Sequence, residues 1–186
     1  TIYKQMKDGK TRVAPVADWE TKRRWVDEAF STLEQNGYRI GSAYTAVRDD
    51  AVEFLYRDAL WTGADMLGTG VSSFGFLDGI HYQNEAKFEA YCDRVAQGEI
   101  PIQRAMVTTQ EERMIRELIL QLKLGRVRPS YFREKFGVDP TERYADLLAR
   151  YAEEGRLRVH DDAIELTRPG LLRVDGLLPP FFRREH

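Results

Sequence analysis

The residues most capable of chemistry in this sequence lie in a loop rich in glycine and hydroxyl groups. Gly68 and Gly70 flank Thr69, and Ser72 and Ser73 follow closely. Glycine allows a backbone N–H group to approach a ligand closely, because no Cβ stands in the way, and serine hydroxyls could hydrogen-bond a sugar. A tight turn in which the glycines take positive φ and the serines cap the turn would have the same composition. The loop therefore predicts either a ligand site or a tight turn.

Metal and nucleophile chemistry has few candidate residues in this chain. The single cysteine, Cys92, excludes an internal disulfide and is typical of a reducing compartment, so we predict a cytoplasmic protein. The histidines His81, His160 and His186 are far apart, and no C-x2-C or H-E-x-x-H spacing occurs. His81 belongs to a residue type that transfers protons near neutral pH, although a lone histidine in a turn is more commonly structural.

The apolar pattern predicts the elements that precede the loop. Asp18 can cap a helix from Trp19 to Gln35, in which apolar residues recur at helical spacing. Extended segments are predicted from Tyr38 to Val47 and from Val52 to Tyr56, and a buried strand over 65–67 is expected to lead into the glycine loop.

A second helix is predicted after the turn at Asp78-Gly79. Asn84 is its expected N-cap. Cys92 shares one face of this helix with other apolar residues, so we expect the thiol to lie in the core. Pro101 is expected to open a short linker.

From Thr108 onward the pattern changes to pairs of helices. Thr108 or Thr109 starts the first of them in a capping-box arrangement. Further helices are predicted at 129–136 and 140–154, short strands at 156–159 and 163–166, and a last helix from Thr167. This order of elements is the outline of a winged-helix-like module.

The composition excludes several classes of protein. With 28 basic and 30 acidic residues the formal charge is −2, which gives no field to hold a polyanion, so no nucleic-acid partner is predicted. Apolar runs are too short to cross a bilayer and no signal peptide is visible, so no membrane partner is predicted. The polar stretch through Pro15 is expected to be an irregular connector, and the absence of an initiator Met suggests an excised segment.

Several motifs occur in the order found in a known enzyme family. They are Asp65-Met66-Leu67-Gly68-Thr69-Gly70-Val71-Ser72-Ser73, Tyr82-Gln83-Asn84 with Tyr91, Thr108-Thr109-Gln110-Glu111-Glu112, Phe136-Gly137 and Leu166-Thr167-Arg168-Pro169-Gly170-Leu171-Leu172. In this order they resemble the oxygen-independent coproporphyrinogen III oxidase family of radical SAM enzymes. The resemblance covers nearly the whole chain and is more specific than any single motif.

The resemblance implies an α+β fold in two parts. Residues 1–105 are expected to hold the last strands and helices of a truncated radical SAM partial (β/α) barrel, and residues 106–186 a small, mostly helical winged-helix-like C-terminal domain. Family members carry, upstream, a C-x3-C-x2-C motif that binds a [4Fe–4S] cluster and S-adenosylmethionine. That motif is absent here, so we expect these 186 residues alone to be inactive and to bind no cofactor.

The resemblance further implies an oxidoreductase with a tetrapyrrole (porphyrinogen) substrate as the parent protein. In the family, reductive cleavage of S-adenosylmethionine gives a 5′-deoxyadenosyl radical, which abstracts hydrogen from a propionate side chain. Loss of CO2 then leaves a vinyl group in anaerobic haem biosynthesis. Related members of the superfamily are haem-trafficking proteins or methyltransferases with much of the same C-terminal pattern, so these alternatives stay open.

Cofactor-binding residues also follow from the resemblance. Gly68, Gly70, Ser72 and Phe74 fall where the family binds S-adenosylmethionine, with Phe74 in place of the isoleucine common there. Tyr56 stands where related enzymes place a glutamine close to the active site. No catalytic and no metal-binding residue is predicted in this chain.

Two functions without catalysis compete with this interpretation. A winged-helix module over 108–186 could bind DNA or protein, but its expected recognition helix offers only Arg133 and Lys135 against Glu134, a weak basic face for DNA. A plain scaffold domain is the other alternative. We also expect exposed strand edges in residues 38–75 to be covered by a second copy or a partner.

Overall fold

The computed structural model describes residues 16–49 and 51–182. The connector predicted up to Pro15 lies outside these ranges. In the described part of the chain, helices alternate with three small antiparallel sheets, so the predicted α+β class is confirmed. None of the helices described there is long and apolar enough to span a membrane.

A long helix and a short hairpin come first. Helix α1 spans Trp19–Gln35, and the carboxylate of its N-cap, Asp18, accepts a hydrogen bond from the N–H of Thr21 at 2.7 Å. Strands β1 (Arg39–Ser42) and β2 (Thr45–Val47) form an antiparallel pair. The predicted helix and the first predicted extended segment are both confirmed.

The next element is a helix where an extended segment had been predicted over 52–56. Helix α2 spans Leu55–Trp61, and Gly63 follows its C-cap with a φ of +86°. The prediction was wrong because a short apolar segment fits both the 3.6-residue period of a helix and the two-residue period of a strand. Tyr56 and Leu60 stand four residues apart, which is the spacing of one helix face.

A three-stranded antiparallel sheet forms the middle of the chain. Strands β3 (Phe74–Leu77), β4 (Ile80–Asn84) and β5 (Ile102–Val107) lie in that order. The turn predicted at Asp78-Gly79 joins β3 to β4. The linker predicted from Pro101 is instead strand β5. Its side chains are largely exposed, so the sequence lacks the alternation of apolar and polar residues by which a half-buried strand is recognised.

The segment before the glycine loop is not the buried strand that the sequence predicted. Only Met66 pairs with the sheet: its N–H and C=O bond the backbone of Phe76 at 2.6 and 2.8 Å, on the outer edge of β3. The side chain of Leu67 is 72% exposed. Leu67 is therefore an apolar side chain that the described residues leave exposed.

Helix α3 spans Phe88–Ala96 and corrects two further predictions. Its N-cap is Lys87, whose side chain makes no capping hydrogen bond, whereas Asn84 is the buried last residue of β4. Cys92 is exposed rather than in the core, as are Phe88 and Val95 on the same helix. The shared apolar face exists, but no described residue buries it.

The C-terminal half carries the hydrophobic core. Its elements are α4 (Gln110–Leu122), β6 (Arg126–Val127), α5 (Pro129–Phe136), α6 (Pro140–Arg143), α7 (Ala145–Glu153), β7 (Leu157–His160), β8 (Ala163–Leu166), α8 (Arg168–Leu171), α9 (Val174–Leu177) and a 3-10 helix (Pro179–Phe181). The buried cluster runs from Met114 to Phe181 and includes the fully buried Val127 and Phe132.

The local rules of helix capping explain most of these boundaries. Thr109 and Glu112 form the predicted capping box at the start of α4. The helix predicted over 140–154 breaks at Tyr144, which is the C-cap of α6 and the N-cap of α7. Strands β7 and β8 pair antiparallel as predicted, with β6 on the far side of β8. The winged-helix assignment and the partial barrel stay predictions.

Candidate functional site

The glycine loop is held from behind by a buried amide on strand β4. The side-chain Nδ2 of Asn84 donates to the carbonyl oxygens of Gly68 and Gly70, at 3.0 and 3.1 Å, and its backbone N–H donates to the carbonyl of Ser73 at 2.9 Å. Asn84 is only 3% exposed. One residue thus fixes three points of the loop, a role that replaces the N-cap predicted for it.

Two tyrosine hydroxyls occupy the backbone donors of the same loop. The N–H of Gly68 donates to the hydroxyl of Tyr82 at 2.9 Å, and the N–H of Gly70 donates to the hydroxyl of Tyr91 at 3.1 Å. The sequence predicts that these N–H groups could face a ligand. They do not, because tyrosines of the same chain already satisfy them.

Glycine is required at both positions for steric reasons. A Cβ on Gly68 would lie 2.2 Å from the carbonyl oxygen of Phe74, and Gly70 has a φ of +94°. The loop therefore packs directly against the backbone of β3. This close approach brings the main chain of Gly68 next to the side chain of Phe74, where a cavity opens.

The serines of the loop are used to shape the turn. Ser73 donates its hydroxyl to the carbonyl of Thr69 at 2.5 Å. The N–H of Ser72 donates to the carbonyl of Glu85 at 2.8 Å, and Ser72 itself has a φ of +60°, which is uncommon for a residue with a side chain. Ser73 therefore caps the turn, which is the alternative to hydrogen bonding with a ligand.

A cavity of about 410 Å³ lies between helix α2 and the glycine loop. Three of the five residues predicted to bind the cofactor, Tyr56, Gly68 and Phe74, line it together. Gly70 and Ser72 do not belong to its lining. Sequence reasoning missed the α2 residues Ala59 and Leu60, which also line it, because that segment had been predicted as extended.

The walls of this cavity are mainly apolar and aromatic. Phe74 is 48% and Tyr56 is 72% exposed, and the Tyr56 hydroxyl donates to the sulfur of Met66 at 3.1 Å. Aromatic rings stack favourably on other flat π-systems, and small-molecule sites are typically concave and mostly apolar with a few polar groups. The cavity is therefore suited to a flat ring such as a nucleobase.

A smaller cavity of about 240 Å³ lies on the sheet surface beside Phe74. His81 stacks on the Phe74 ring with centroids 5.7 Å apart, and Arg104 and Met106 complete the wall. His81 is exposed on strand β4 rather than in the turn before it, and it does not line the larger cavity.

The donor set of this chain does not fit an iron–sulfur cluster. Cys92 is the single cysteine of the sequence, whereas such clusters are commonly held by several thiolates. Across residues 16–49 and 51–182, no group of three or more His, Cys, Asp or Glu side chains could hold a metal ion.

The basic residues of the predicted recognition helix are paired within the chain. Arg133 bonds the carboxylates of Asp139 and Asp162, at 2.6 and 3.1 Å. Lys135 lies 2.9 Å from the carboxylate of Glu117. Both cations of this helix are therefore partly neutralised by carboxylates of the same chain.

Comparison with known proteins agrees with the motif order. Residues 108–173 match the family described as the HemN C-terminal domain. The haem chaperone HemW of Bacillus subtilis is 25% identical over 175 residues, which cover 92% of this chain and 44% of that protein. The oxygen-independent coproporphyrinogen III oxidase of Pseudomonas aeruginosa is 26% identical over 177 residues, which cover 87% of this chain and 38% of that protein.

The fold also matches a solved structure. That structure is the coproporphyrinogen III oxidase (HemN) of Escherichia coli, described as a radical SAM enzyme, with a TM-score of 0.74 and 22% identity over 92% of this chain and 43% of that chain. This chain spans less than half the length of each of these three relatives.

These findings define the class of the chain. It resembles the C-terminal part of HemN-like radical SAM proteins, with a HemN C-terminal domain matched over residues 108–173. The resemblance indicated by the order of the motifs is confirmed.

Proposed function

We propose that this chain forms part of a radical SAM oxidoreductase acting on a porphyrinogen-type tetrapyrrole, and that the cavity between α2 and the glycine loop receives the nucleoside of S-adenosylmethionine. The observation that carries the proposal is the convergence of Tyr56, Gly68 and Phe74 on one cavity. The resemblance assigns Gly68 and Phe74 to S-adenosylmethionine and places Tyr56 near the active site, and the three residues come from different elements of the fold: helix α2, the glycine loop and strand β3.

The geometry gives each of these residues a distinct task. Phe74 offers the face of an aromatic ring to a nucleobase, and Tyr56 closes the opposite side from helix α2. Gly68 contributes backbone rather than a side chain, because a Cβ there would overlap the main chain of Phe74. Gly70 and Ser72 act indirectly, by shaping the loop that carries Gly68.

When bound beside its cluster, S-adenosylmethionine supplies a 5′-deoxyadenosyl radical for hydrogen abstraction. The residues of this chain bind and orient the nucleoside and exclude water from it. The cluster ligands must come from a part of the parent protein other than these residues, because one cysteine cannot replace three. The residues described here therefore form a binding wall.

A haem-trafficking function is the second candidate, and a specific observation favours it. The haem chaperone HemW of Bacillus subtilis matches 92% of this chain at 25% identity, as closely as the oxidases do. The cavity proposed here would serve either protein, since it concerns S-adenosylmethionine and not the tetrapyrrole. The substrate must be settled by activity.

A nucleic-acid function has less support. The formal charge of −2 and the pairing of Arg133 and Lys135 with carboxylates leave a poor basic surface on the predicted recognition helix. These features favour an enzyme or chaperone domain.

The experiment uses the full-length gene product. Its gene should encode a C-x3-C-x2-C motif upstream of Thr1, and anaerobic reconstitution should give a brown protein that forms 5′-deoxyadenosine under reductant. Vinyl formation from coproporphyrinogen III would assign it as an oxidase, whereas stoichiometric haem binding and transfer without vinyl formation would assign it as a chaperone. A colourless product that leaves S-adenosylmethionine intact would refute both.

A further inference from the structure

A polar cluster around one buried carboxylate joins the C-terminal core to the helix that walls the proposed nucleoside cavity. It consists of Glu117 on α4 and of Tyr131 and Lys135 on α5, with the carbonyl oxygen of Thr62, the C-cap of α2. Glu117 has a side chain only 5% exposed, whereas that of Lys135 is 39% exposed. We call these four groups the Glu117 cluster.

The hydrogen bonds of the Lys135 ammonium group are fully used. Its three donors meet three acceptors: the carbonyl of Thr62 at 2.8 Å, the carboxylate of Glu117 at 2.9 Å and the hydroxyl of Tyr131 at 3.0 Å. The Tyr131 hydroxyl donates its own proton to the other carboxylate oxygen of Glu117. Both the Lys135 ammonium group and the Tyr131 hydroxyl lie within hydrogen-bond distance of the Thr62 carbonyl oxygen, at 2.8 and 3.0 Å, so the cluster is a closed network that contacts the C-cap of α2.

The protonation states of the cluster agree with this arrangement. Burial and the hydrogen bond to Glu117 raise the pKa of Tyr131, so that it remains a donor. Burial lowers the pKa of Lys135, but its bonds to Tyr131 and Glu117 outweigh that effect and the net pKa is raised. Lys135 is thus an ammonium ion over the whole physiological range.

The chain leaves space for the cluster by placing a glycine opposite it. A Cβ on Gly63 would lie 2.0 Å from a carboxylate oxygen of Glu117 and 2.9 Å from the nitrogen of Lys135, and its φ is +86°. The turn after α2 therefore fits closely over the cluster. A positive charge at this end also complements the C-terminus of a helix.

Helix α2 has few other attachments among the described residues. None of its residues is buried, and its N-cap, Phe54, makes no side-chain capping bond. Apart from the contacts to Thr62, its side-chain hydrogen bonds to other elements run from Arg57 to the hydroxyl of Thr45 at 3.2 Å and from Tyr56 to the sulfur of Met66 at 3.1 Å. The bond from Lys135 to Thr62 is a charge-assisted hydrogen bond and therefore of the stronger kind.

The face of α2 that this bond positions is the face that lines the cavity. Tyr56, Ala59 and Leu60 stand at i, i+3 and i+4 and share the cavity wall. We infer that Lys135, held by Glu117 and Tyr131, is a positioning residue that sets the distance between α2 and Phe74 and so tunes the affinity of the cavity for the nucleoside. This inference rests on the proposed function of the cavity.

Two variants of the full-length protein separate positioning from stability. Lys135→Met alone should lower the melting temperature, because it leaves the buried charge of Glu117 unpaired. The triple change Glu117→Met, Tyr131→Phe and Lys135→Met replaces the cluster by apolar groups and should restore most of the melting temperature. It still lacks the bond to Thr62.

The decisive readouts are taken on the triple variant. We expect faster hydrogen exchange of the amides at 58–64 in the absence of ligand, and binding of S-adenosylmethionine about tenfold weaker, the effect of losing one charge-assisted bond. Unchanged exchange and affinity would overturn the inference. Arg133→Met on the same helix is the control, since its partners are Asp139 and Asp162.

A variant that leaves every charge in place covers the case in which the triple variant does not fold. Gly63→Ala pushes the turn away from Glu117 and should give the same faster exchange at 58–64 and the same loss of affinity. Hydrogen exchange at 58–64 as slow in this variant as in the wild type would contradict the inference. If the wild-type protein does not bind S-adenosylmethionine at all, the proposed function fails, while the exchange data still decide whether Lys135 positions α2.

Discussion

The ring of Tyr82 occupies the space that a side chain on Gly75 would need. Its Cζ atom lies 2.1 Å from the place of a Cβ on Gly75, directly across the β3–β4 pair. With its ring fixed there, the Tyr82 hydroxyl reaches the backbone N–H of Gly68 at 2.9 Å. The sheet therefore transmits its geometry to the glycine loop through one aromatic side chain.

We predict that Gly75→Ala displaces this ring and destabilises the protein by roughly 1–3 kcal/mol, as overpacking of a buried site does. Urea denaturation of the full-length protein measures the effect. Gly176→Ala in helix α9 is the control, because a Cβ there meets nothing within 4 Å; it should not destabilise the protein and should add up to about 1 kcal/mol, since alanine is the better helix former. Equal effects of the two changes would argue against the role of Tyr82.

We predict that Asn84→Leu costs about 2–3 kcal/mol of stability and increases hydrogen exchange in the loop at 66–74. The substitution removes the donor that serves two carbonyl oxygens, and unsatisfied buried acceptors are expensive. The control is Gln103→Leu on the exposed side of strand β5. If the loop exchanged as slowly in Asn84→Leu as in the wild type, Asn84 would not be what holds it.

We predict that Phe74→Ala weakens binding of S-adenosylmethionine by about 3–10-fold, since an aromatic stacking pair contributes about 0.5–1.5 kcal/mol. Stability should change little, because the Phe74 side chain is half exposed. Phe74→Ile should retain more affinity than Phe74→Ala, because isoleucine is common at this position in the family that the chain resembles.

The control for Phe74 is Phe88→Ala, which removes another exposed ring on helix α3, outside the lining of the cavity; Phe88 is 66% exposed and Phe74 48%. Titration calorimetry under anaerobic conditions compares the three proteins with the wild type. Equal losses at Phe74 and Phe88 would contradict the cavity as the binding site.

We predict that acid destabilisation depends on Asp162, which bonds the N–H and hydroxyl of Ser130 at the start of helix α5. The hydrogen bond from Ser130, together with Arg133, lowers the pKa of Asp162. A lowered folded-state pKa stabilises the fold above the unfolded value, about 3.9, and that stabilisation is lost as the pH falls through the folded value.

Melting temperatures of Asp162→Asn and the wild type should therefore differ at pH 6 and converge as the pH falls below the unfolded-state pKa of about 3.9 and through the lower folded-state value. An amide still accepts one hydrogen bond but carries no charge. Asp161→Asn, at the adjacent exposed turn position, is the control and should follow the wild type throughout. A difference that persists at low pH would assign the effect to packing instead of charge.

The C-terminal half could be predicted well because its local signals agree with its tertiary structure. The capping box at Thr109 and the β7–β8 hairpin lie where the sequence puts them. The apolar stripe of α4 is buried against its own domain, with Met114 and Leu118 each only 1% exposed. Periodicity is informative where a core exists to bury it.

The middle of the chain was predicted less well for the same reason. Strand β5 and helix α3 leave most of their apolar side chains exposed, so neither Val107 nor Phe88 reports a buried face. Helix α2 is only seven residues long, too short for a period to be read. The motif order includes the glycine loop as well as Tyr82, Asn84 and Tyr91, but it does not show that these three residues hold the loop.

Those partners carry a pattern that could have been recognised. Tyr82 and Asn84 alternate along a strand and so point to the same face of the sheet. A glycine loop packed on that face needs acceptors for its N–H groups and donors for its carbonyls. The hydroxyl and the amide provide them.

Hydrogen exchange of the reconstituted full-length protein, with and without S-adenosylmethionine, tests the central claim most directly. We predict that the ligand protects two segments that wall the cavity: helix α2 with the turn after it at 55–63, and the loop with the start of β3 at 65–75. Binding of S-adenosylmethionine that left both segments unprotected would show that the nucleoside lies elsewhere, and the site proposed here would be wrong.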